Sequence, residues 1–189
     1  MFSRKRLLIV AGPTGCGKST FLRSALGNKP SPLTKKILRK AFKRSDFKIQ
    51  QLYFRRLQKL HEKQESYKKF IRNYNNFILD IDTTGPKFKK NALIFPDFLS
   101  KFNRITSVQI CTPYELWINR ILERKINSTL RCNRSLRRVL HNSLSLKPQD
   151  INQAEKQYYA YFDQWDSILS DYNVKSQIRI NTMEDLILE

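Results

Sequence analysis

The apolar positions of this chain follow two different periods. Four short runs of apolar or β-branched residues, each bounded by turn residues, predict buried strands at residues 5–11, 77–82, 105–112 and 177–181. Apolar positions three and four residues apart predict helices between these runs. Because strands and helices alternate, we expect an α/β fold, a three-layer sandwich in which helices cover both faces of a short parallel sheet.

Two helices are predicted early in the chain. The first covers residues 18–26 and ends at Gly27, and the second begins at Pro32 with Ser31 as its N-cap. A longer helix is predicted at residues 47–72, and no strand is expected between residues 28 and 76.

Residues 29–75 are therefore expected to form a mainly helical insert within one domain that spans residues 1–189. Later helices are predicted at residues 113–125, 135–146 and 148–172, and the aromatic residues of the last of these are expected to pack it against the sheet.

The first strand leads directly into a glycine-rich segment that fits G-x-x-x-x-G-K-[ST] in full. Such a turn between a buried strand and a helix directs backbone N–H groups and the positive end of a helix dipole at one point, which suits a polyphosphate. Lys18 is expected to reach the β- and γ-phosphates, Ser19 to bind Mg²⁺, and Cys16 to be a packing residue. The predicted nucleotide-binding residues of this loop are Gly12, Pro13, Thr14, Gly15, Cys16, Gly17, Lys18, Ser19 and Thr20.

Two carboxylates lie at the end of the second predicted strand. Asp80 and Asp82 point to the same side of the strand, at the edge where open α/β sheets bind ligands. In phosphoryl transfer such a carboxylate holds the metal or orients the attacking hydroxyl. Both are catalytic candidates, and Asp82 is the predicted Mg²⁺ ligand, with Asp80 as the alternative. A purely structural role for one of them, capping the turn that follows, stays open.

Arginines follow the third predicted strand. Arg120 and Arg124 are four residues apart and share one helix face, and Arg131 lies in the basic stretch beyond them. Cations that close over a nucleotide stabilise the transferring phosphoryl group and exclude water. Arg124 and Arg131 are therefore catalytic candidates and Arg120 a nucleotide-binding candidate. The alternative is a solvated basic helix face.

The positive charge is large and unevenly distributed. The net charge is +20, and residues 29–75 hold 15 Lys and Arg against three acidic residues. Residues 101–147 hold ten Lys and Arg against two acidic residues, whereas residues 148–189 hold three Lys and Arg against eight acidic residues. Such a field attracts nucleic acid, anionic lipid or a phosphorylated metabolite. Basic faces that are merely solvated, in a Lys- and Asn-rich chain, are the alternative.

Several classes of protein are disfavoured. The three cysteines are widely spaced and lack histidines at ligand spacing, which argues against a disulfide framework or a zinc site. His61 and His141 stand alone and are interpreted as surface or structural residues. No apolar run approaches the length of a membrane span, so we expect a soluble protein of the reducing cytoplasm.

Together, these motifs resemble the small nucleoside-monophosphate kinases of the P-loop NTPase class. The Leu-Asp-Ile-Asp strand is similar to that of guanylate kinases, and the Arg-x-x-x-Arg helix to that of adenylate kinases. The resemblance implies that Arg120 lies on the adenine, that Arg124 lies near the transferred phosphate, and that residues 125–134 form a short lid. Residues 29–75 have no counterpart of either acceptor-binding segment, so GMP and AMP are not the expected acceptors.

These observations predict an ATP-dependent phosphotransferase that uses Mg²⁺ and an anionic small-molecule acceptor. GTP is an open alternative to ATP, and turnover itself stays open. Two other classes remain. One is a nucleic-acid kinase or binder whose basic insert follows a phosphate backbone. The other is a nucleotide-binding regulatory or assembly protein, or a sulfotransferase-like transferase, with slow or no hydrolysis.

Overall fold

The computed structural model describes residues 5–42, 49–83, 94–127, 148–170, 174 and 176–180. Within them a five-stranded, all-parallel sheet has the strand order β2-β3-β1-β4-β5. The strands are β1 (Arg6–Gly12), β2 (Ile49–Tyr53), β3 (Asn76–Asp82), β4 (Arg104–Ile110) and β5 (Ser176–Ile180). Because every strand runs in the same direction, all the carboxyl ends meet at one edge of the sheet.

Helices pack on both faces of this sheet and bury two separate apolar cores. One core joins Leu8, Val10 and Ile78 of the sheet to α1 and α2, and the other joins Leu7, Ile9 and Phe77 to α3, α4 and α5. The predicted three-layer α/β fold is thereby confirmed. The described helices are α1 (Lys18–Leu26), α2 (Pro32–Phe42), α3 (Phe54–Glu62), α4 (Gln64–Asn73), α5 (Phe95–Leu99), α6 (Tyr114–Asn127) and α7 (Pro148–Ser170).

The predicted early helices are confirmed. Helix α1 has the predicted bounds, and α2 begins at Pro32 as expected. The Ser31 hydroxyl accepts a hydrogen bond from the Thr34 amide at 3.2 Å, so Ser31 is the N-cap that the sequence indicates. The four predicted strands are also present, each within two residues of its expected bounds.

The expectation of a single helix at residues 47–72 is wrong. Strand β2 occupies its beginning and pairs with β3, and the remainder is broken into α3 and α4 at Lys63. Leu52 is the one fully buried side chain of this edge strand, so no apolar run marks it. The described residues of this segment, 29–42 and 49–75, are still mainly helical, but they also extend the sheet by one strand.

Some predictions lie outside the described residues. These are the helix at residues 135–146, most of the predicted lid at residues 125–134, Arg131 and His141. Arg124 lies in α6, but its side chain is not among the described ones. No helix in the described parts of the chain is long and apolar enough to cross a membrane.

Candidate nucleotide-binding site

The glycine-rich loop connects β1 to α1, and its glycines have the backbone conformation that such a turn needs. Gly12, Gly15 and Gly17 have φ angles of +154°, +91° and +110°, values that other residues rarely adopt. A Cβ atom on Gly12 would lie 2.6 Å from the Cys16 Sγ and 3.0 Å from the Ile110 carbonyl oxygen. A side chain at this position would therefore force the loop apart.

Gly17 is the N-cap of α1, so the first turn of the helix opens directly from the loop. The amides of a first helical turn have no intrahelical acceptor and carry the positive end of the helix dipole. Together with the glycine turn they form a concave backbone surface that suits a polyphosphate.

Side chains from the second half of the chain hold two carbonyls of the loop. The Trp117 indole Nε1 donates to the Thr14 carbonyl at 2.8 Å, and the Thr112 hydroxyl donates to the Cys16 carbonyl at 2.7 Å. Tyr158 in turn donates its hydroxyl proton to the Thr112 carbonyl. These bonds fix the loop from the side of β4 and α6.

Lys18 is buried, with 9% of its surface exposed, and its ammonium contacts the loop itself. The Nζ atom donates to the Gly12 carbonyl at 2.7 Å and to the Pro13 carbonyl at 2.9 Å. Lys18 was expected to face the phosphates of a nucleotide. In this structure its ammonium instead contacts carbonyl oxygens at the start of the glycine-rich loop. Ser19, the predicted Mg²⁺ residue, is exposed on the first turn of α1.

The two carboxylates of β3 lie beside the loop. The strand register pairs Asp82 with Gly12 and Asp80 with Val10, and both side chains point to the face that α1 covers. The Thr14 hydroxyl donates a hydrogen bond to Asp82 Oδ2. The structure thus brings the end of β3 and the phosphate-binding loop together, as the sequence predicts.

Asp80 is in a different environment from Asp82. Its Oδ1 atom is buried and accepts no hydrogen bond from the described residues. The Thr83 hydroxyl is also buried and forms no hydrogen bond with the described residues. Burial raises the pKa of Asp80, the nearby Lys18 ammonium opposes this rise, and the charge of Asp82 adds to it. Asp80 therefore has one carboxylate oxygen that receives no hydrogen bond from the described residues.

Arg120 lies near the Cys16 side of the glycine-rich loop. Its Nη1 atom is 3.5 Å from the Thr112 hydroxyl, which is itself bonded to the Cys16 carbonyl. The Arg120 side chain is half-buried.

Cys16 is a core residue, as expected. Its side chain is buried in the α1 core, and burial raises the pKa of its thiol. Burial also raises the pKa of the Cys111 thiol to about 12. Both thiols stay protonated near neutral pH, which makes them poor nucleophiles.

The described residues contain no cluster of three or more His, Cys, Asp and Glu side chains that could hold a metal.

The sequence did not reveal the contact of Trp117 with the glycine-rich loop. The helical pattern places it on the inward face of α6, and it is indeed buried. A buried indole N–H needs a hydrogen-bond acceptor, so the sequence indicates that Trp117 has one. It does not show that this acceptor is a carbonyl of the loop. The same holds for Thr112 and Tyr158.

Residues 1–112 match the family model of the Rad17 P-loop domain. The chain belongs to the Rad17 P-loop domain family. The matched part contains β1 to β4 and the whole glycine-rich loop. The Rad17-type chain is thus a nucleotide-binding P-loop domain, and the prediction of a P-loop NTPase is confirmed.

Solved structures show weaker likeness to this Rad17-type domain. A shikimate kinase from Acinetobacter baumannii, in complex with shikimate, is 14% identical with a TM-score of 0.42, over 99% of this chain and 90% of that chain. An unliganded sugar kinase from a Janibacter species is 11% identical with a TM-score of 0.36, over 87% of this chain and 98% of that chain. No curated protein sequence matches the chain.

Proposed function

We propose that this P-loop domain is a Mg²⁺-dependent phosphotransferase that takes ATP and transfers its γ-phosphoryl group to an anionic acceptor. The observation that carries the proposal is the buried, unpartnered Oδ1 atom of Asp80 beside the phosphate-binding loop. A buried carboxylate oxygen with no hydrogen bond costs free energy in the folded protein. Active sites retain such groups because a bound reactant supplies the missing hydrogen bond or charge.

The loop and Lys18 would bind the triphosphate, and Arg120 would lie over the nucleotide at the opposite end of the loop. On binding, the Lys18 ammonium would exchange the Gly12 and Pro13 carbonyls for phosphate oxygens. Arg124 and Arg131 remain the candidates for closing over the phosphates. GTP is the competing nucleotide.

The oxygen donors near the loop fit Mg²⁺. Ser19, Asp82 and the unpartnered Thr83 hydroxyl supply hydroxyl and carboxylate oxygens, the ligands of a hard cation. When bound, Mg²⁺ neutralises charge on the β- and γ-phosphate oxygens. We assign the cation to Ser19 and Asp82.

Asp80 would then accept the proton of the acceptor hydroxyl. The hydroxyl oxygen forms a bond to the γ-phosphorus, and the bond between that phosphorus and the β–γ bridging oxygen breaks. The hydroxyl proton passes to Asp80, and the nucleoside diphosphate leaves. An aspartate whose pKa is raised by burial is a better proton acceptor than an ordinary surface aspartate.

A Lys18→Met variant tests the nucleotide site. It keeps the aliphatic stem and removes the ammonium, so we expect a folded protein whose affinity for Mg-ATP falls at least tenfold, about 1.4 kcal/mol or more. Binding is measured by calorimetry with Mg-ATP and Mg-GTP, and turnover with γ-labelled nucleotide. Wild-type affinity and turnover in the variant would contradict the assignment.

A further inference from the structure

The solvent side of helix α2 consists of cations. Between Thr34 and Ala41 every exposed position is Lys or Arg, and the remaining positions are buried. With 3.6 residues per turn, the exposed positions lie together on one side of the helix, opposite the buried ones. We call this side the basic face of α2, and its residues are Lys35, Lys36, Arg39 and Lys40.

The neighbouring elements add no negative charge to this surface. Helix α2 packs against α1, β1 and β4, and none of these three elements contains Asp or Glu. Residues 5–42 as a whole contain neither residue type. No cation of the basic face forms an ion pair with a residue that the structure describes. Within the described part of the chain, the basic face therefore keeps its full charge.

Hydrogen bonds hold α2 in place at both ends. At its start, the Ser24 hydroxyl of α1 donates to the Thr34 hydroxyl at 3.1 Å and accepts from the Ser31 amide at 3.0 Å. At its end, Arg6 of β1 donates to the Phe42 carbonyl. The four cations are thus carried by a fixed element of the fold, and a partner need not order the backbone on which they stand.

The basic face is unfavourable for the helix itself. Its four cations form two pairs that are four residues apart, a spacing at which like charges repel each other. Helix α2 also has no acidic residue in its first turn, where the helix dipole favours one. The cations of α3 and α4 differ in this respect, because Glu62 and Glu65 lie among them. A bound polyanion would remove the repulsion within α2.

We infer that the basic face of α2 binds the phosphate backbone of double-stranded nucleic acid. The inference does not depend on the proposed phosphoryl transfer. A duplex carries closely spaced phosphates, and their neutralisation releases counterions without any contact to a base. Along the axis of α2 the four cations span about 7.5 Å, so they would meet more than one phosphate.

A single strand fits this surface less well. Proteins that bind single strands combine cations with aromatic rings on which the bases stack. The aromatic residues of α1 and α2 are Phe21 and Phe42, and both side chains are buried. The surface therefore offers charge but no ring for stacking.

A membrane also fits less well. A basic amphipathic helix binds lipid by inserting its apolar side into the interface. In α2 that side is part of the protein core, where Ile37, Leu38 and Ala41 are at most 6% exposed. The apolar side of α2 is thus not available to lipid while the domain is folded.

The surface is tested by fluorescence anisotropy with labelled twenty-base-pair DNA and RNA duplexes, without added nucleotide. The α2 variant is K35Q/K36Q/R39Q/K40Q. The control is R55Q/K59Q/K63Q/K69Q, which removes the same charge from exposed positions of the α3–α4 layer on the opposite sheet face. In the α2 variant we expect the slope of log Kd against log salt to fall by about two to three, and affinity at low salt to weaken more than tenfold. The control should change far less.

Two further measurements separate binding from folding. A conservative variant, K35R/K36R/K40R, keeps every charge and should bind duplexes within about threefold of the wild type, as expected for contacts made mainly by charge. Thermal unfolding without nucleic acid should show that the α2 variant is at least as stable as the wild type, because the like-charge repulsion is gone. A folded α2 variant that binds duplexes as tightly as the wild type would overturn the inference.

Other outcomes would also overturn it. Wild-type protein that binds Mg-ATP but no duplex would exclude the surface and leave the proposed function intact. Equal weakening by the α2 variant and the control would show binding by overall charge. Tighter binding of a single strand of the same length, or of poly-glutamate, would assign the surface to a different polyanion. Binding to phosphatidylserine vesicles that is lost in the α2 variant, without duplex binding, would assign it to membrane.

Discussion

Asp80 occupies a position in which an ionised carboxylate is destabilised until something binds it. Its burial next to Asp82 disfavours the charge, and Lys18 compensates only in part. Asp82, by contrast, already accepts a hydrogen bond from Thr14. The two carboxylates are similar in sequence context, but their surroundings give them different chemistry.

Asp80→Asn should therefore separate binding from chemistry. We expect turnover to fall by about 10²- to 10⁴-fold, because the proton acceptor is lost, while affinity for Mg-ATP stays near that of the wild type. Stability at pH 7 should not fall, since the substitution removes a disfavoured buried charge. Unchanged steady-state turnover in this variant would contradict the role of Asp80. In the matched Asp82→Asn variant we expect the dependence on Mg²⁺ concentration to change instead.

Trp117 is predicted to position the loop rather than to touch the nucleotide. Trp117→Phe removes the indole hydrogen bond to the Thr14 carbonyl, and we expect roughly a tenfold loss of nucleotide affinity, the size of one buried hydrogen bond. Trp165→Phe is the control, because the Trp165 indole donates to the Ser107 hydroxyl at 3.3 Å, on the far side of the sheet. Both variants should lower the melting temperature, but calorimetric affinity should fall in Trp117→Phe alone. Equal affinities would show that the bond has only a structural role.

Among the elements, α5 is tied to the α3–α4 pair by one carboxylate. Asp97 binds the Lys101 ammonium at 2.8 Å, accepts a hydrogen bond from Tyr67 at 3.0 Å, and lies 3.5 Å from the His61 Nε2 atom. Lys101 is the main cause that lowers the pKa of Asp97, and burial partly opposes it. These contacts hold α5 against α3 and α4.

The stability that Asp97 contributes should depend on pH. Because the folded protein lowers its pKa, the contribution is complete above the ordinary value of 3.8 and is lost as the pH falls through the folded pKa. Asp97→Asn should lower the melting temperature at pH 7 by about 2–4 °C, since the side chain is partly exposed and water screens the pair to about 1 kcal/mol at most. As the pH falls from 3.8 through the folded pKa, the difference should shrink towards zero. Glu65→Gln, at an exposed pair, is the control and should change little over this range.

The elements also show what the sequence could predict. Strands β1 and β3 are continuous apolar runs because both faces of a central strand are buried, and α2 carries its cap in the sequence. Strand β2 lies at the sheet edge with one fully buried residue, and its spacing of Ile49, Leu52 and Tyr53 also fits a helix. Its assignment depends on pairing with β3, which is a long-range interaction that local periodicity does not contain.

The same limit applies to the site. The loop motif and the two carboxylates are local signals, and their proximity follows from parallel strands that end at one edge. The bonds from Trp117 and Thr112 to the loop join residues about a hundred positions apart, and no local pattern records them. The exposure of Tyr53 was not predictable either, because the spacing of Ile49, Leu52 and Tyr53 also fits one face of a helix.

At the scale of the whole molecule, strand order decides how the site can work. Because β3 lies between β1 and β2, Asp80 has the end of β1 and the glycine-rich loop on one side and Tyr53, at the end of β2, on the other. On the proposed function, the nucleotide would approach Asp80 from the side of β1.

The contact between Trp117 and Thr14 gives the protein a built-in chromophore at its loop. Of the two tryptophans in the chain, one lies against the glycine turn and the other in the separate core behind the sheet. In a Trp165→Phe background, a change in ultraviolet emission would report the arrival of a nucleotide directly. Rapid-mixing experiments could then follow that event in real time without attaching a dye.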